Sequence, residues 1–593
     1  MPAVAGGKRR HAAARTGRPG WRHTLRGIGL SLLVALTIEG LVLFAQKARW
    51  MPGLDDIGGD LFLGIYESLP GERYRDALKW LGMDEVLDRL GLWPTTGAPK
   101  PYPFVFLDID DDAWKTWDHP ARTPRDKLAR LIGFAARNEA ALVVVDVDLT
   151  DGDTAYGCDP LLAGRFASKP APGEAALSPD SEVEAVLRMY TLPAAAGEGA
   201  PRIIHHKELE LRREGGDEGG FLLRPSFLER CLPNAREPLP ATVPKEASQA
   251  ETDKPGGATS AGIHWASTLF EQSDDAVVRR WRLLALACGE PGRQEWVPSV
   301  QLLAWVLLDG KDRNLGELYN TLQAMISSDC GRQQDATKEQ IGARSFEVFG
   351  KTVDLSPGAL EKRVLYTIPW RQDERVSGAE VPRAGGRARM LTRLSAAQIV
   401  ESEDRVWQRF RANPPKLGGK GEDEDSDWLE IRSALRDVAA SDPELKIQNA
   451  ELHKLIRGRI VIIGGSYTDA RDTYRTPIGW MPGAIILANA IHSLRTFGPL
   501  RPPEFWTQKL PLIVFSVLLV GLSFHFLPVA VATLLALPAV LLVTFLLSTL
   551  WIQSGVWVDA TAGCAAIVVH RFYEDGKHAI AWVLGKGVST HGS

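Results

Sequence analysis

Four aspartates at the ends of two apolar runs are the side chains best placed to do chemistry in this 593-residue chain. The run PFVFLDIDDD carries Asp108 and Asp110, and the run ALVVVDVDL carries Asp146 and Asp148. Residues two apart on a strand share a face, so each pair presents its carboxylates together. Carboxylates that converge repel, and a proton, an arginine or a cation must compensate. A hard ion such as Mg²⁺ or Ca²⁺ suits an all-oxygen ligand set, which makes Asp108, Asp110, Asp146 and Asp148 a candidate metal or polar-ligand site. The competing reading is structural: some of these side chains cap the following loops and others pair with Arg125, Arg279 or Arg280, because charges taken out of water need partners.

A second candidate lies far downstream. Gly464-Gly465-Ser466 follows an apolar strand and could offer backbone N–H groups to an anion, although a tight strand-to-loop turn explains the glycines equally well. Arg471, Asp472 and Arg475 sit in the next loop, as cleft-lining or solvated residues. The five cysteines (Cys158, Cys231, Cys288, Cys330 and Cys564) show no CxxC spacing, which argues against a zinc site. If the middle of the chain is extracytoplasmic, the first four could form two disulfides.

The elements that must position these residues are legible in outline. Phe104 to Ile109 reads as a buried strand. Thr123-Pro124 opens a helix to about Asn138, with Leu128, Leu131, Ile132, Ala135 and Ala136 on one face. Ala141 to Leu149 is a second strand, so strand, helix and strand form a βαβ unit with two parallel, adjacent strands. Ligands of open α/β sheets bind beyond the carboxyl ends of the strands, where both Asp pairs fall. Further helices are expected at Ser178-Pro179 to Met189 and Pro298 to Leu308, and strands at Pro201 to Ile204, Val364 to Ile368 and Arg459 to Gly464. Pro482-Gly483 opens an amphipathic helix from Ala484 to Arg495. Residues 205–260 and 372–450, rich in charge, glycine and proline, read as insertions.

Hydropathy places this domain between membrane segments. Residues 1–24 are basic and without acid, and 25–46 are long and apolar enough to span a bilayer. The length of that run and the absence of an A-x-A site disfavour a cleaved signal peptide. Three more spans are expected at 508–527, 529–552 and 556–572. The basic flank sets the N-terminus in the cytoplasm, so 47–505 lies outside and 573–593 forms a cytoplasmic tail too short to be a catalytic domain. Glu39 in the first span is costly unless it meets other helices, water or headgroups, and Ser516 in the second could accept its proton as a coupling contact. The net charge of −4 gives no reason to expect nucleic-acid binding.

The blocks FVFLDIDDDAWKTW, ALVVVDVDL, DDAVVRRWRLL and RGRIVIIGGSYTDARDTYRTPIGWMPGAIILANAIHSL resemble the CHASE type-two domain, a sensory extracellular module associated with cyclases and histidine kinases. The matching positions are Asp108 and Asp110; Asp274, Val278, Arg279 and Arg280; and Gly464, Thr476, Pro477, Pro482, Gly483, Ala488 and Asn489. The resemblance spans about residues 100–500 and implies an extracytoplasmic sensory fold with one span before it and about three after. It departs from the common pattern in showing no fused cytoplasmic output domain. D-x-D after an apolar strand also resembles haloacid-dehalogenase-like phosphatases, with Asp108 as nucleophile and Asp110 as acid/base. Asp112, however, stands where that family has Thr or Val.

The expectation is therefore a multi-pass bacterial inner-membrane protein with a large α/β extracytoplasmic domain. It is read as a sensor of a ligand or stress, not an enzyme, that signals to a separate effector protein and could form a homodimer. A scaffold subunit with a degenerate sensor is the alternative, and the Mg-dependent phosphatase a remote one. The candidate ligand site comprises Asp108, Asp110, Asp146, Asp148, Arg279, Arg280, Gly464, Gly465 and Ser466.

Overall fold

The alternation of bulky apolar side chains along three short runs builds the centre of the domain. The computed structural model describes, with short gaps, residues 102–149, 162–167, 177–191, 202–228, 263–288, 294–309, 312–324, 345–383, 386–415 and 424–502, and scattered positions from 504 to 557. By contacts the chain divides into residues 60–501 with 552–555 and a second unit made of the two ends. The first unit holds all the structure discussed below.

Its central sheet comprises β1 (Phe104–Ile109), β2 (Leu142–Val145), β3 (Arg202–His206), β4 (Ile263–Ala266), β6 (Val376–Arg383), β7 (Gly386–Ser395) and β8 (Ile460–Gly465), in the order β6-β7-β1-β8-β2-β3-β4. A further strand, β5 (Val278–Trp281), pairs with residues 270–272 outside this sheet. Every pairing in the central sheet is parallel except that of β6 with β7. The βαβ unit is confirmed, but β1 and β2 are not neighbours, because β8 from the far end of the sequence lies between them. A fully apolar IVII strand gains most in the middle of the sheet, where both faces are covered.

Both faces carry helices. Val105, Leu107, Val143, Val145, Val461 and Ile463 pack against α2 (Arg125–Arg137), α3 (Pro179–Thr191), α5 (Ala396–Ala412) and α6 (Glu424–Ser441). Phe104, Phe106, Leu142, Val144, Ile460 and Ile462 pack against α4 (Val300–Asp309) and α7 (Gly483–Phe497). Between β1 and α2 the chain makes a short helix, α1 (Asp111–Thr116), where the sequence indicated only a polar segment. At α3, the Ser178 hydroxyl accepts the Ser181 N–H at 3.2 Å, the expected N-cap. Ser178→Ala should lower the urea midpoint by an amount equivalent to about 1 kcal/mol.

Two sequence expectations are corrected. Residues 372–450 do not behave as a surface insertion. They supply β6 and β7 at one edge of the sheet, and α5 buries Ile399, Val400, Val406, Trp407 and Phe410 in the core. Their charges mislead because many are spent internally: Glu403 pairs with buried Arg137, and Asp404 with Arg130 at 2.9 Å. Similarly, His205 and His206 belong to β3, and residues 209–214 and 217–223 form a hairpin within a four-stranded sheet. The second correction concerns Val364 to Ile368, which joins no sheet. Side chains of α7 satisfy its backbone instead: Asn489 Oδ1 accepts from Thr367 N and Ile368 N, and Ser493 Oγ accepts from Leu365 N.

Among the described residues no helix is long and apolar enough to cross a membrane. Span 25–46 and most of 508–527, 529–552 and 556–572 lie outside them, as do Glu39, Ser516 and Asp274.

Candidate functional site

The parallel register collects the candidate residues into one row at the carboxyl edge of the sheet. Asp108 pairs with Ser395 of β7 on one side and with Gly464 of β8 on the other. The Asp146 N–H donates to Ile463 O at 2.8 Å, which sets Asp146 beside Gly464 on its far side. Asp108 and Asp146 thus flank Gly464 on the face that α7 covers. Two strand spacings, about 9.6 Å, separate their backbones.

Gly464 is required by what lies above it. A Cβ there would stand 2.9 Å from the Ala484 Cβ and 3.5 Å from the Asp146 Cβ, so the first turn of α7 rests on bare backbone. Gly464→Ala should push that turn outward and cost about 1–3 kcal/mol, measured by thermal unfolding. An anion nest is not formed here, because the N–H groups of Ser466 and Tyr467 both donate to Ile109 O. Gly465 packs against the Tyr467 ring.

Asp108 has no exposed surface. Its Oδ2 accepts from Ser466 Oγ at 2.8 Å and forms an ion pair with Arg393, which reaches along β7 on the same face. Its Oδ1 has no partner among the described residues. Burial pushes this carboxyl up to about 6 against the opposing pull of Arg393 and Ser466, and Asp110 adds to the rise. Asp110 has a mainly structural role: its Oδ1 accepts the Ala113 N–H at 2.9 Å and caps α1, while Arg393 stands 3.7 Å from its Oδ2. The concealment of Asp108 and the capping role of Asp110 argue against a phosphatase nucleophile and acid/base pair.

Asp146 faces a residue that the sequence marked only as part of a loop. Asp472 lies against the start of α7, its oxygens 2.5 and 2.8 Å from where a Gly483 Cβ would be, and Gly483 N donates to Asp472 O at 2.9 Å. Tyr474 lies near the Asp472 carboxyl. Burial raises Asp146 well above the usual carboxylate range, with the neighbouring Asp472 adding to it. Burial also raises Asp472, to about 6, opposed by the nearby Tyr474 hydroxyl and Gly483 N–H.

The other candidates fall elsewhere. Asp148 is partly buried, and its backbone carbonyl accepts from Arg125. Arg279 is committed to Asp275 through a two-pronged pair at 2.7 and 2.8 Å, and its carbonyl accepts from Val364 N. Arg280 forms a backbone bridge with Arg363. Among the described residues no three His, Cys, Asp or Glu side chains are grouped to hold a metal ion. The strand inserted between β1 and β2 is the reason, because it keeps Asp108 and Asp146 apart. Arg393 was overlooked in the sequence because it lies in the stretch read as an insertion, 285 residues from its partner.

A family model described as the CHASE2 domain matches residues 68–525. The chain belongs to the CHASE2 family. No curated protein and no solved structure matches it. CHASE2 domains are extracytoplasmic and sensory, so the α/β domain described here is a sensory one. The structure also gives the CHASE2 motif residues physical roles. Asp108 anchors Arg393 and Ser466, Gly464 and Gly483 permit close approach at the start of α7, and Asn489 ties α7 to residues 367–368. Thr476 closes the turn of the hairpin formed by β9 (Thr473–Thr476) and β10 (Gly479–Pro482), donating from Oγ1 to Gly479 O at 2.6 Å.

Proposed function

We propose that this chain is an inner-membrane sensor that passes an extracytoplasmic signal to a separate effector protein. The observation that carries this reading is the placement of α7. Its first turn lies on Gly464 within the carboxyl row, and it is the last helix before the apolar run 508–527 in the sequence. A helix of 15 residues, about 22 Å long, then leads in sequence from the candidate site toward that apolar run. A ligand acts by binding unequally to two arrangements of that helix. In this reading residues 47–505 face the periplasm, both termini are cytoplasmic, Glu39 and Ser516 provide a contact between spans, and the chain can pair with a second copy through its spans. The candidate ligand site is the set Asp108, Asp146, Gly464 and Ser466, extended by Arg393 and Asp472.

Purification of the full-length protein from its native cells under mild crosslinking tests the reading. A stoichiometric kinase, cyclase or protease is the expected companion. Repeated recovery of the chain alone, or only with itself, overturns signalling in trans.

A further inference from the structure

The far end of α7 meets a turn from much later in the chain. α7 stops at Gly498, whose φ of 73° and N–H bond to Leu494 O at 2.9 Å close the helix. The Phe497 carbonyl is then left without a helical donor. Gly555, which lies between the apolar runs 529–552 and 556–572, is set directly against it. A Cβ on Gly555 would stand 2.7 Å from Phe497 O and 3.5 Å from Pro499 O, both backbone atoms, so only a hydrogen fits. Its φ of 75° independently favours glycine. The Gly555 carbonyl accepts the Arg501 N–H at 2.8 Å, and the Gly555 N–H donates to Ile552 O at 2.9 Å. Residues 552–555 thus belong to the same compact unit as α7, with Leu500 and Ile552 buried. Between its two ends α7 is held as one piece: Leu487, Ile491 and Leu494 lie in the core, and Asn489 and Ser493 bond residues 365–368.

We propose that the Gly555 turn is a second coupling contact, through which a movement of α7 reaches the last two apolar runs as well as the one that follows it in sequence. This rests on the sensory reading above and specifies how its signal leaves the domain. In the topology proposed there, residue 505 and the 553–555 connection lie on the same face of the bilayer, so the Arg501–Gly555 bond joins segments that can meet. Chain continuity alone carries a displacement of α7 into 508–527. The contact at Gly555 adds 529–552 and 556–572, which begin and end at the turn. Packed helices shift by about 1–2 Å in such transitions, a step that flexible side chains at a contact can absorb. A carbonyl set against a bare Cα has no side chain to absorb it. The seats of α7 on Gly464 at one end and on Gly555 at the other are therefore linked, and a linkage of this kind is reciprocal.

Amide exchange in the full-length protein, held in lipid nanodiscs, tests this from both ends. In the wild type the Arg501 amide should be protected. Gly555→Asn keeps a residue that tolerates positive φ but adds a Cβ against Phe497 O, so it separates close approach from backbone strain. It should speed exchange at Arg501 by at least about tenfold, because the Gly555 acceptor is displaced. It should also speed exchange at Leu487 and Ala488, whose helical acceptors are the Gly483 and Ala484 carbonyls of the first turn. Gly464→Ala, which lifts that first turn, should in return speed exchange at Arg501. Should Gly555→Asn fail to fold, Gly555→Ala adds the smallest side chain and gives the same two readouts. Should Gly464→Ala fail to fold, the Gly555 variants alone report on both ends. An Arg501 amide that is unprotected in the wild type, or unchanged by substitution of Gly555, overturns the contact. A change confined to the substituted end overturns the coupling. No readout involves a ligand or an effector, so a missing effector leaves this result standing, and failure here leaves a sensor that signals through 508–527 alone.

Discussion

Asn489→Ala should cost the domain about 3–5 kcal/mol, enough to unfold it or expose it to proteolysis at ordinary temperature. Asn489 is fully buried on α7 and uses both ends of its amide. Its Oδ1 accepts from Thr367 N and Ile368 N, each at 2.9 Å, and its Nδ2 donates to Ile368 O and Ile485 O, each at 3.0 Å. Alanine leaves two buried N–H groups and one carbonyl without these partners, at about 1–3 kcal/mol each before relaxation. Asn489→Asp keeps the acceptor and removes the donor, but adds a charge where none is compensated, so it should be no milder. Urea unfolding followed by tryptophan fluorescence reads the effect. A loss below 1 kcal/mol would mean that residues 364–368 find other partners and that α7 is not fixed to them.

Arg393→Ala should be nearly as severe, with a distinctive pH dependence. The substitution leaves Asp108 fully buried with Ser466 as its remaining donor, and breaking a buried pair from one side costs about 3–5 kcal/mol. Asp108 already titrates near 6 with the arginine present, and removing that positive charge raises it further. A carboxyl raised in the folded state favours folding while protonated. That contribution is fully present below the unfolded value of about 4 and is lost as pH rises through the folded one. The variant should therefore be much weaker than the wild type at pH 8 and closer to it at pH 5. Adding Asp108→Asn should restore much of the difference at pH 8, because it removes the orphaned charge. Equal losses at both pH values, with no rescue, would contradict an ion pair at this position.

The sequence made the strands visible where one physical pattern dominated. FVFLDI, LVVV and IVIIGG are apolar because both faces of the sheet are covered, and Ser178 and Pro482 mark helix starts by their local chemistry. Periodicity carries no information on which strands are neighbours, so the insertion of β8 between β1 and β2 was not legible, and with it the separation of Asp108 from Asp146. The stretch 372–450 concealed α5 and β7 because its charges are paired inside the domain. Residues 364–368 resemble a strand in sequence because they are largely apolar, yet helix side chains take the role of a neighbouring strand. Gly464 was marked as a candidate, but for its N–H groups and not for the space it leaves to Ala484. The resemblance to CHASE2 singled out Asn489 without giving its task, which only the packing of α7 explains.

The sensory domain is proposed to stand outside the membrane and the chain's ends inside, and labelling of single cysteines in intact spheroplasts tests this topology. In a cysteine-free background, Asp373→Cys places a thiol between β5 and β6, where the chain is exposed, and Ser593→Cys places one at the C-terminus. A membrane-impermeant maleimide should label position 373 in intact cells and position 593 only after lysis. Labelling of 593 but not 373 before lysis would put the domain in the cytoplasm and overturn this topology.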